Sequence, residues 1–573
     1  MSWARGDSDM AGRLQPSPFL VKGLSPTLRA AMTTPPHSLY TGSRVRAAYA
    51  ETAGMYRIVP EAVAVPENLR DLLDIVDWAR RTGTPLTPRG AGSGIPGNAV
   101  GSGVIVDLRQ RMPRVLEIDP AERTAVTSAN ITQAELNTAA AAHGLRLPPD
   151  PSSARWATLG GMVACNAAGA RTVRHGPVRP WVKGLEIVTA DAETGWISRD
   201  PAAVPPLAAL ERFDRDARPA IVASADEIRR RFPVVRKNTA GYGLDHWLDS
   251  GSPVDLVIGS EGTLAIVLGI RWQLAPVAGA RTGLRVALRS LDDLEEAVTA
   301  LVACQPSAVE LLDGTFLRLL RQAGESVALP DAEAVLLVEF EREQESAARG
   351  AVGDAVRAVT HLAMEIVTAI TPEEEHHLWS LRHAASPILA RLPDDHRSLQ
   401  VIEDGCVPLP RLGEYVRAVR DAAASQGIEV VIFGHAGDGH VHVNALPDVT
   451  RADWRDRLLR LYQDVSGAVI ALGGTPSGEH GDGRLRAALL EPLYGSLVVD
   501  LFRRVKTAFD PVGILNPGVK LDPQHSPLAW LKVGPDADPL PEDIAAGLRE
   551  IERTGGYAQS RLVLAGEDPG VIR

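Results

Sequence analysis

The chain has 573 residues, 45% hydrophobic and 23% charged, with a formal net charge of -11 at pH 7. That length favours more than one domain or one large composite fold around a substantial core, and the composition is that of an ordinary globular protein. The acidic balance excludes a general nucleic-acid binder, which needs a basic surface to neutralise phosphates, while an anionic small substrate answers to its local site and stays open.

In chain order, residues 1–38 read as an irregular extension rich in Arg, Ser, Thr and Pro, without the apolar core of a secretory signal. "YRIVPEAVAVP", from Tyr56, reads as a strand approach. "ENLRDLLDIVDWARRTG" follows as a helix with apolar residues at helical spacing, closing on Arg80, Arg81 and Gly83. "GVIVDL" and "RVLEID" are short β segments, and "QAELNTAAAAHG" is a helix that ends at a glycine. This α+β texture fills residues 39–274, up to the boundary "PVAGA". Beyond it, "LRVALRSLDDLEEAVTALVAC" and "AVLLVEFEREQESAARGAVGDAVRAV" are strand-then-helix units, which predict a second domain over 275–500 with a sheet covered on one face by helices. "WRDRLLRLYQDVSGAVIALGG" is a long helix within it. After Leu521 the chain is rich in Pro, Asp and Gly, with one helical pattern near "PEDIAAGLREIER"; residues 522–573 receive no function. No stretch approaches the roughly 20 apolar residues of a membrane helix. Cys165, Cys304 and Cys406 form no CxxC pair and give no signature of an iron–sulfur cluster or zinc ribbon. A cytoplasmic location is expected, with membrane attachment only through a partner.

Three small-residue loops stand out in the first half. "PRGAGSGIPGNAV", Pro88 to Val100, is too glycine-dense for a helix or strand interior, and glycine lets backbone N–H groups approach an anion closely. It is not a GxGxxG opening a helix, so a Rossmann reading is weak; alone, a surface loop explains it equally well. "PPDPSSARWATLGGMVACNAAGARTVRHG", Pro148 to Gly176, adds a rigid Pro-Asp-Pro entry, small hydroxyls and a Gly-Gly turn, and "VIGSEGTLAIV" sets Gly-Ser-Glu-Gly-Thr between apolar runs. Three such loops suit the walls around one extended ligand, and a dinucleotide has that shape.

In this order the loops resemble the FAD-binding domain of p-cresol methylhydroxylase-type flavoproteins, a resemblance that runs from about Leu39 to Leu521. It implies an α+β fold with that flavin domain plus a cap domain whose antiparallel sheet carries helices. It also implies that Pro88, Arg89, Gly90, Ala91, Gly92, Ser93, Gly94, Ile95 and Asn98 surround the pyrophosphate. Pro149, Asp150, Ser152, Ser153, Gly160, Gly161, Asn166, Gly169 and Thr172 would line the ribityl and isoalloxazine side. Glu261, Gly262 and Ile266, the last near the adenine, complete the set, and 501–521, with Asn516, would return to the flavin domain. Some relatives bind flavin covalently through a His in the first loop; Ser93 stands near that point here, so non-covalent FAD is expected, with His175 read as a supporting group.

The second half carries "GHAGDGHVHVN", Gly434 to Asn444, after the β-branched run "IEVVIF". Period-two geometry puts His440, His442 and Asn444 on one strand face and Val441 and Val443 on the other, while His435, before the turn, can face back toward His442. A metal site competes here with a polar strand face or a pH-sensitive patch. "GGTPSGEHGDGRLR" adds Glu479 and His480 between glycines. Two imidazoles and a carboxylate are a common divalent-metal set, and a neutral imidazole suits proton abstraction near pH 7.

These stretches resemble the "GHxGDGNxHxN" and "SGEHG" motifs of the FAD-dependent D-2-hydroxyacid dehydrogenases. The resemblance implies His435, His442 and Glu479 as ligands of a divalent metal, zinc by expectation with manganese and iron as alternatives. His480 would be the catalytic base and Asn444 a substrate-side group. His440 replaces the usual Asn and is placed with the substrate-binding residues. "LWSLRHAASPIL" resembles the segment whose Arg holds the substrate carboxylate, here Arg382. The implied reaction is oxidation of a hydroxyacid of the lactate, glycolate and 2-hydroxyglutarate class, with hydride transfer to flavin N5. "RGAGSG", "VIEDGCVPLP" and "SGEHGDGRLR" are similar to a subgroup that often carries a fused iron–sulfur domain. Electron delivery is therefore expected to a separate iron–sulfur or quinone-linked partner, with oligomerisation left open. Rival readings are an oxidase using oxygen, a flavoenzyme for another alcohol, a metallohydrolase and a non-catalytic electron-transfer subunit.

Overall fold

The computed structural model describes residues 35–36, 38–200, 203, 205–323 and 331–567; most of the expected N-terminal extension lies outside them. The first half opens with a four-stranded sheet of β1 (Leu39–Tyr40), β2 (Ala62–Ala64), β3 (Leu86–Arg89) and β4 (Val104–Asp107) in the order β1-β2-β4-β3. Strands β2, β4 and β3 are parallel, and α1 (Leu69–Thr82) crosses between β2 and β3. The Asn68 side chain accepts from the Asp71 amide at the start of α1, and Gly83, at φ 72°, closes its end. The glycine loop therefore leaves the carboxyl end of a parallel strand, where open α/β sheets bind ligands.

A second, antiparallel sheet follows: β5 (Leu116–Asp119), β6 (Thr124–Ser128), β7 (Val182–Val188), β8 (Thr194–Ser198) and β9 (Ile266–Gln273), ordered β5-β6-β9-β7-β8. Between β6 and β7 lies α2 (Leu159–Cys165), whose N-terminal turn is capped by Thr158 Oγ1 accepting from the Gly161 amide. The core of this half also takes in Leu490, Val498, Leu501, Phe502 and Val505, so the chain returns to it from Leu490 onward.

The second half is built on a seven-stranded antiparallel sheet: β10 (Ala280–Leu288), β11 (Ala308–Asp313), β12 (Ala334–Arg342), β13 (Ala363–Ala369), β14 (Gly405–Cys406), β15 (Glu429–Gly434) and β16 (His440–Leu446). Their order is β13-β10-β12-β11-β15-β16-β14. One face packs under α3 (Leu294–Ala303), α4 (Glu345–Val359), α5 (Leu412–Gln426) and α6 (Trp454–Ala471). The expected single covered face is corrected by a smaller core on the opposite face. There Leu312, Val335, Leu337, Val431 and Phe433 meet the helices Gly314–Gln322, Pro372–His383 and Ala385–Ala390. Both faces are apolar at that end, so both need cover.

The period-two rule orients the rest. Leu336, Val338 and Phe340 of β12 enter the larger core, which turns Glu339 and Glu341 toward the flavin half. Arg171 meets Glu339 at 2.5 Å and Asp150 at 2.6 Å, while Arg146 and His175 meet Glu341 at 2.5 and 2.9 Å. Burial alone would raise both glutamates, but Arg171 beside Glu339, and His175 with Arg146 beside Glu341, hold them below the usual carboxylate range. Carboxyls depressed in the folded state stabilise it above their unfolded pKa, and that contribution is lost as the pH falls.

Glu339→Gln leaves Arg171 short of a buried partner and should cost about 3 kcal/mol at neutral pH. Calorimetry should also find the thermal midpoint of the variant less sensitive to acidification below about pH 4.5 than that of the wild type. An unchanged midpoint and an unchanged acid profile would contradict this account of the domain contact.

Candidate active site

One cavity of about 930 Å³ runs between the two halves, near the upper end of ligand-site sizes. Its walls include most of the predicted flavin residues: Pro88 through Ile95, Asn98, Ser152, Ser153, Gly160, Gly161, Gly169, Glu261, Gly262 and Ile266. Gly92 is indispensable to the loop shape, since at φ 70° any Cβ would meet the Arg89 guanidinium at 2.4 Å. Arg89 itself turns inward: its guanidinium donates to the carbonyls of Tyr49 and Glu51 at 3.0 and 2.8 Å. With the guanidinium so engaged, the glycines of the loop leave its backbone amides open to close approach.

Five predicted flavin residues stand behind the wall and brace it. The Pro149 carbonyl accepts from Gln133, Asp150 pairs with Arg171, and Asn166 Oδ1 accepts from the Arg179 amide. Thr172 Oγ1 accepts from the Gly169 amide and donates to its carbonyl. Asn516 Nδ2 donates to the carbonyls of Asn98 and Glu261 at 2.7 and 2.8 Å, tying the C-terminal return to two flavin loops. His175 is committed to the Glu341 contact.

At the other end of the cavity lie His435, His442, Glu479, His480, Arg382 and Asn444. Val441 and Val443 enter the core, as period two predicts, and His442 and Asn444 take the opposite face. His435 Nε2 lies 3.3 Å from His442 Nε2 and 3.1 Å from Glu479 Oε1; His442 Nε2 is 3.4 Å from the same oxygen. Both imidazoles are held from behind. His435 Nδ1 meets Glu310 Oε1 at 2.6 Å, and His442 Nδ1 meets the Glu403 carbonyl at 3.0 Å. Those oxygens only accept, so each Nδ1 carries a proton and each Nε2 lone pair faces inward. Two bare imidazole nitrogens and a carboxylate oxygen then converge on one point, which a cation or an added proton must relieve. The donor set, with its hydrogen-bonded backing, fits a divalent metal.

Glycines make this approach possible: at Gly434, φ 130°, a Cβ would meet the His442 ring at 2.9 Å. Glu479 Oε2 accepts from Lys237 Nζ at 2.7 Å, and that fully buried ammonium also donates to the Gly169 carbonyl of the flavin loop. Burial would raise the Glu479 carboxyl, but the Lys237 ammonium holds it well below the usual range.

His480 stacks on His442 at 5.1 Å between ring centroids and keeps about a quarter of its side chain exposed. Its Nδ1 lies 2.5 Å from Glu403 Oε2, and its backbone amide donates to Asp404. Arg486 pairs with both Glu403 and Asp404 from within the protein. Burial would lower His480, yet the two carboxylates push it up to about 9. The two carboxylates by themselves thus favour the protonated imidazole, against the neutral form expected near pH 7. Arg382 is buried over the Phe433 ring with Nε donating to Glu310 Oε2 at 2.5 Å, so one carboxylate joins it to His435. Asn444 Oδ1 accepts from Ser398 at 2.9 Å.

His440 departs from its expected place. It is fully buried, does not line the cavity, and sits behind the imidazole pair with Nε2 3.0 Å from Asp404 Oδ1. Burial pushes it down to about 3, so it is neutral.

Sequence reasoning missed Glu310, Lys237, Glu403 and Asp404, which hold the site from distant segments, and Arg486, at the end of the Glu479–His480 stretch itself. It also missed the tail. Helix α7 (Glu542–Thr554) buries Ile544, Leu548 and Ile551, the first two beside Tyr49 and Ile105, and Arg549, Glu552, Arg553 and Tyr557 reach the cavity wall. Glu552 pairs with Arg397 of the cap half and lies 3.3 Å from Lys532.

Residues 60–198 match the FAD binding domain family, and residues 282–519 match the C-terminal domain of FAD linked oxidases. The glycolate oxidase subunit GlcD of Bacillus subtilis is 30% identical over 469 residues, covering 81% of this chain and 89% of that protein. The D-lactate dehydrogenase of Archaeoglobus fulgidus is 30% identical, covering 80% and 90%. The D-2-hydroxyglutarate dehydrogenase of Escherichia coli is 27% identical over 84% of this chain and half of that longer protein. Among solved structures, p-cresol methylhydroxylase with substrate bound superposes with a TM-score of 0.61 at 13% identity over 89% of this chain and 99% of that one. An alkyldihydroxyacetonephosphate synthase gives 0.56 at 15%, covering 88% and 86%; both likenesses speak to the fold. With both halves matched and two relatives at 30% identity over most of their length, the chain belongs to the family of FAD-linked oxidases and dehydrogenases, and is a flavin-dependent oxidoreductase built on the p-cresol methylhydroxylase fold.

Proposed function

We propose that the protein oxidises a D-configured 2-hydroxyacid of the lactate, glycolate and 2-hydroxyglutarate class to the 2-oxoacid. The observation that carries the reading is the meeting, in one cavity with the flavin loops, of a His435–His442–Glu479 donor set, a buried Arg382 and a carboxylate-held His480. Relatives named for glycolate, D-lactate and D-2-hydroxyglutarate support the substrate class.

When bound, FAD supplies the two-electron acceptor and a divalent cation, zinc by our reading of the ligands, supplies Lewis acidity toward the substrate oxygens. FAD is held without a covalent bond, since Ser93 occupies the loop and His175 is engaged by Glu341. Arg382 binds the substrate carboxylate, and its bond to Glu310 fixes the guanidinium relative to His435. Asn444 orients the substrate from the strand face, with Ser398 fixing its amide. His480 takes the hydroxyl proton at Nε2, while Glu403 accepts from Nδ1 and sets the ring orientation. Its Nε2 lies 3.7 Å from Glu479 Oε1, so positive charge held by Glu479 opposes protonation there and favours the base form.

His480→Asn should slow anaerobic flavin reduction by about 10²- to 10⁴-fold while FAD content and metal content stay unchanged; near-normal reduction would remove His480 from the proton transfer. The rate should rise with pH as His480 loses its proton. In metal-depleted protein the His480 ring, followed by NMR titration, should lose its proton at higher pH, toward the value of about 9 set by Glu403 and Asp404. A His480 titration identical with and without metal would contradict the charge coupling.

A further inference from the structure

Resting on the metal reading above, we infer that His440 is a fourth protein ligand of the same ion, binding through Nδ1 from the side away from the cavity. A ring nitrogen of His440 lies within 4.8 Å of the ligand atoms of His435, His442 and Glu479. Nε2 is occupied by Asp404 Oδ1 at 3.0 Å, and Asp404, locked by Arg486 and by the amides of Glu479 and His480, accepts a hydrogen bond there. The Nδ1 lone pair is thereby left bare, which is the tautomer a metal-binding imidazole needs.

That Nδ1 is the unusual atom of the site. It is buried and has no hydrogen-bond partner, although burying a polar atom unpaired costs about 1–3 kcal/mol. Of the other nitrogens of the three strand and turn imidazoles, Nδ1 of His435, Nδ1 of His442 and Nε2 of His440 are each hydrogen-bonded to an oxygen, and the two remaining Nε2 atoms are the ones assigned to the ion above. His435, His442 and Glu479 face the cavity and His440 does not, so a fourth bond from His440 closes the rear of the ion and leaves its open side toward Arg382 and His480. Gly478 permits the close approach, since a Cβ there would meet His440 Nε2 at 2.8 Å. The sequence departure at His440 thus alters the metal shell, and the substrate role expected for it is replaced.

The test uses the full-length FAD-loaded protein reconstituted with zinc, and separately with cobalt(II). X-ray absorption on the wild type should count three imidazoles, and His440→Asn should reduce the count to two. The same variant should change the cobalt d–d spectrum and weaken zinc retention against a chelator by more than the roughly tenfold to hundredfold effect of losing a partner that merely orients a ligand. Two imidazoles in the wild type, or an unaltered cobalt spectrum in a folded His440→Asn protein, would overturn the inference while leaving the three-ligand site intact. Should the variant fail to fold, the wild-type count decides alone. A wild type that binds neither metal would overturn this inference and the metal reading together.

Discussion

The architecture of this protein depends on bringing two imidazole nitrogens and a carboxylate oxygen to one point inside a low-dielectric interior. Left alone, such acceptors repel, and each loses its hydration. The surroundings answer that cost atom by atom. Glu310 and the Glu403 carbonyl hold the two rings by Nδ1, and Lys237 neutralises Glu479 through its other oxygen. What remains uncompensated is the convergence itself, which a cation or an added proton relieves. That residual demand is the strongest physical reason to read the cluster as a metal centre.

The fold supplies the stiffness this needs. A seven-stranded antiparallel sheet presents alternate residues of β11, β15 and β16 to the flavin half and buries the others under helices. The same alternation turns Glu339 and Glu341 of β12 onto Arg171, Arg146 and His175, so the two halves are aligned by buried ion pairs at one end and by the site at the other. Lys237 spans the seam, bonded both to Glu479 and to the Gly169 carbonyl. A displacement of one half against the other would therefore disturb flavin loop and donor set together. The central residues act as a unit, and single substitutions among them should not add independently.

Much of this was legible in the sequence because it is local. Three glycine loops announced an extended ligand, and the alternation in "HVHVN" placed His442 and Asn444 opposite the valines. What escaped notice was held by long-range contact. Glu310 lies 125 residues from His435, and Lys237 lies 242 from Glu479. A carboxylate in the apolar run "AVELLD" was a detectable signal, because a buried strand rarely carries an unpaired charge. The tail was missed because its helix has an apolar stripe like any surface helix, and only the folded chain sets that stripe against residues near Tyr49 and its polar face at the cavity. His440 was misplaced because period two fixes a face and not a depth: it shares the face of His442 yet lies behind it.

The most direct test of the account is anaerobic flavin reduction in purified protein, comparing metal-replete and chelator-treated samples against D- and L-2-hydroxyacids. Bleaching of the flavin by a D-hydroxyacid in the metal-replete sample, lost on metal removal and restored by adding the ion back, is the predicted result. A metal-replete, flavin-loaded protein that no hydroxyacid of either hand reduces would contradict it.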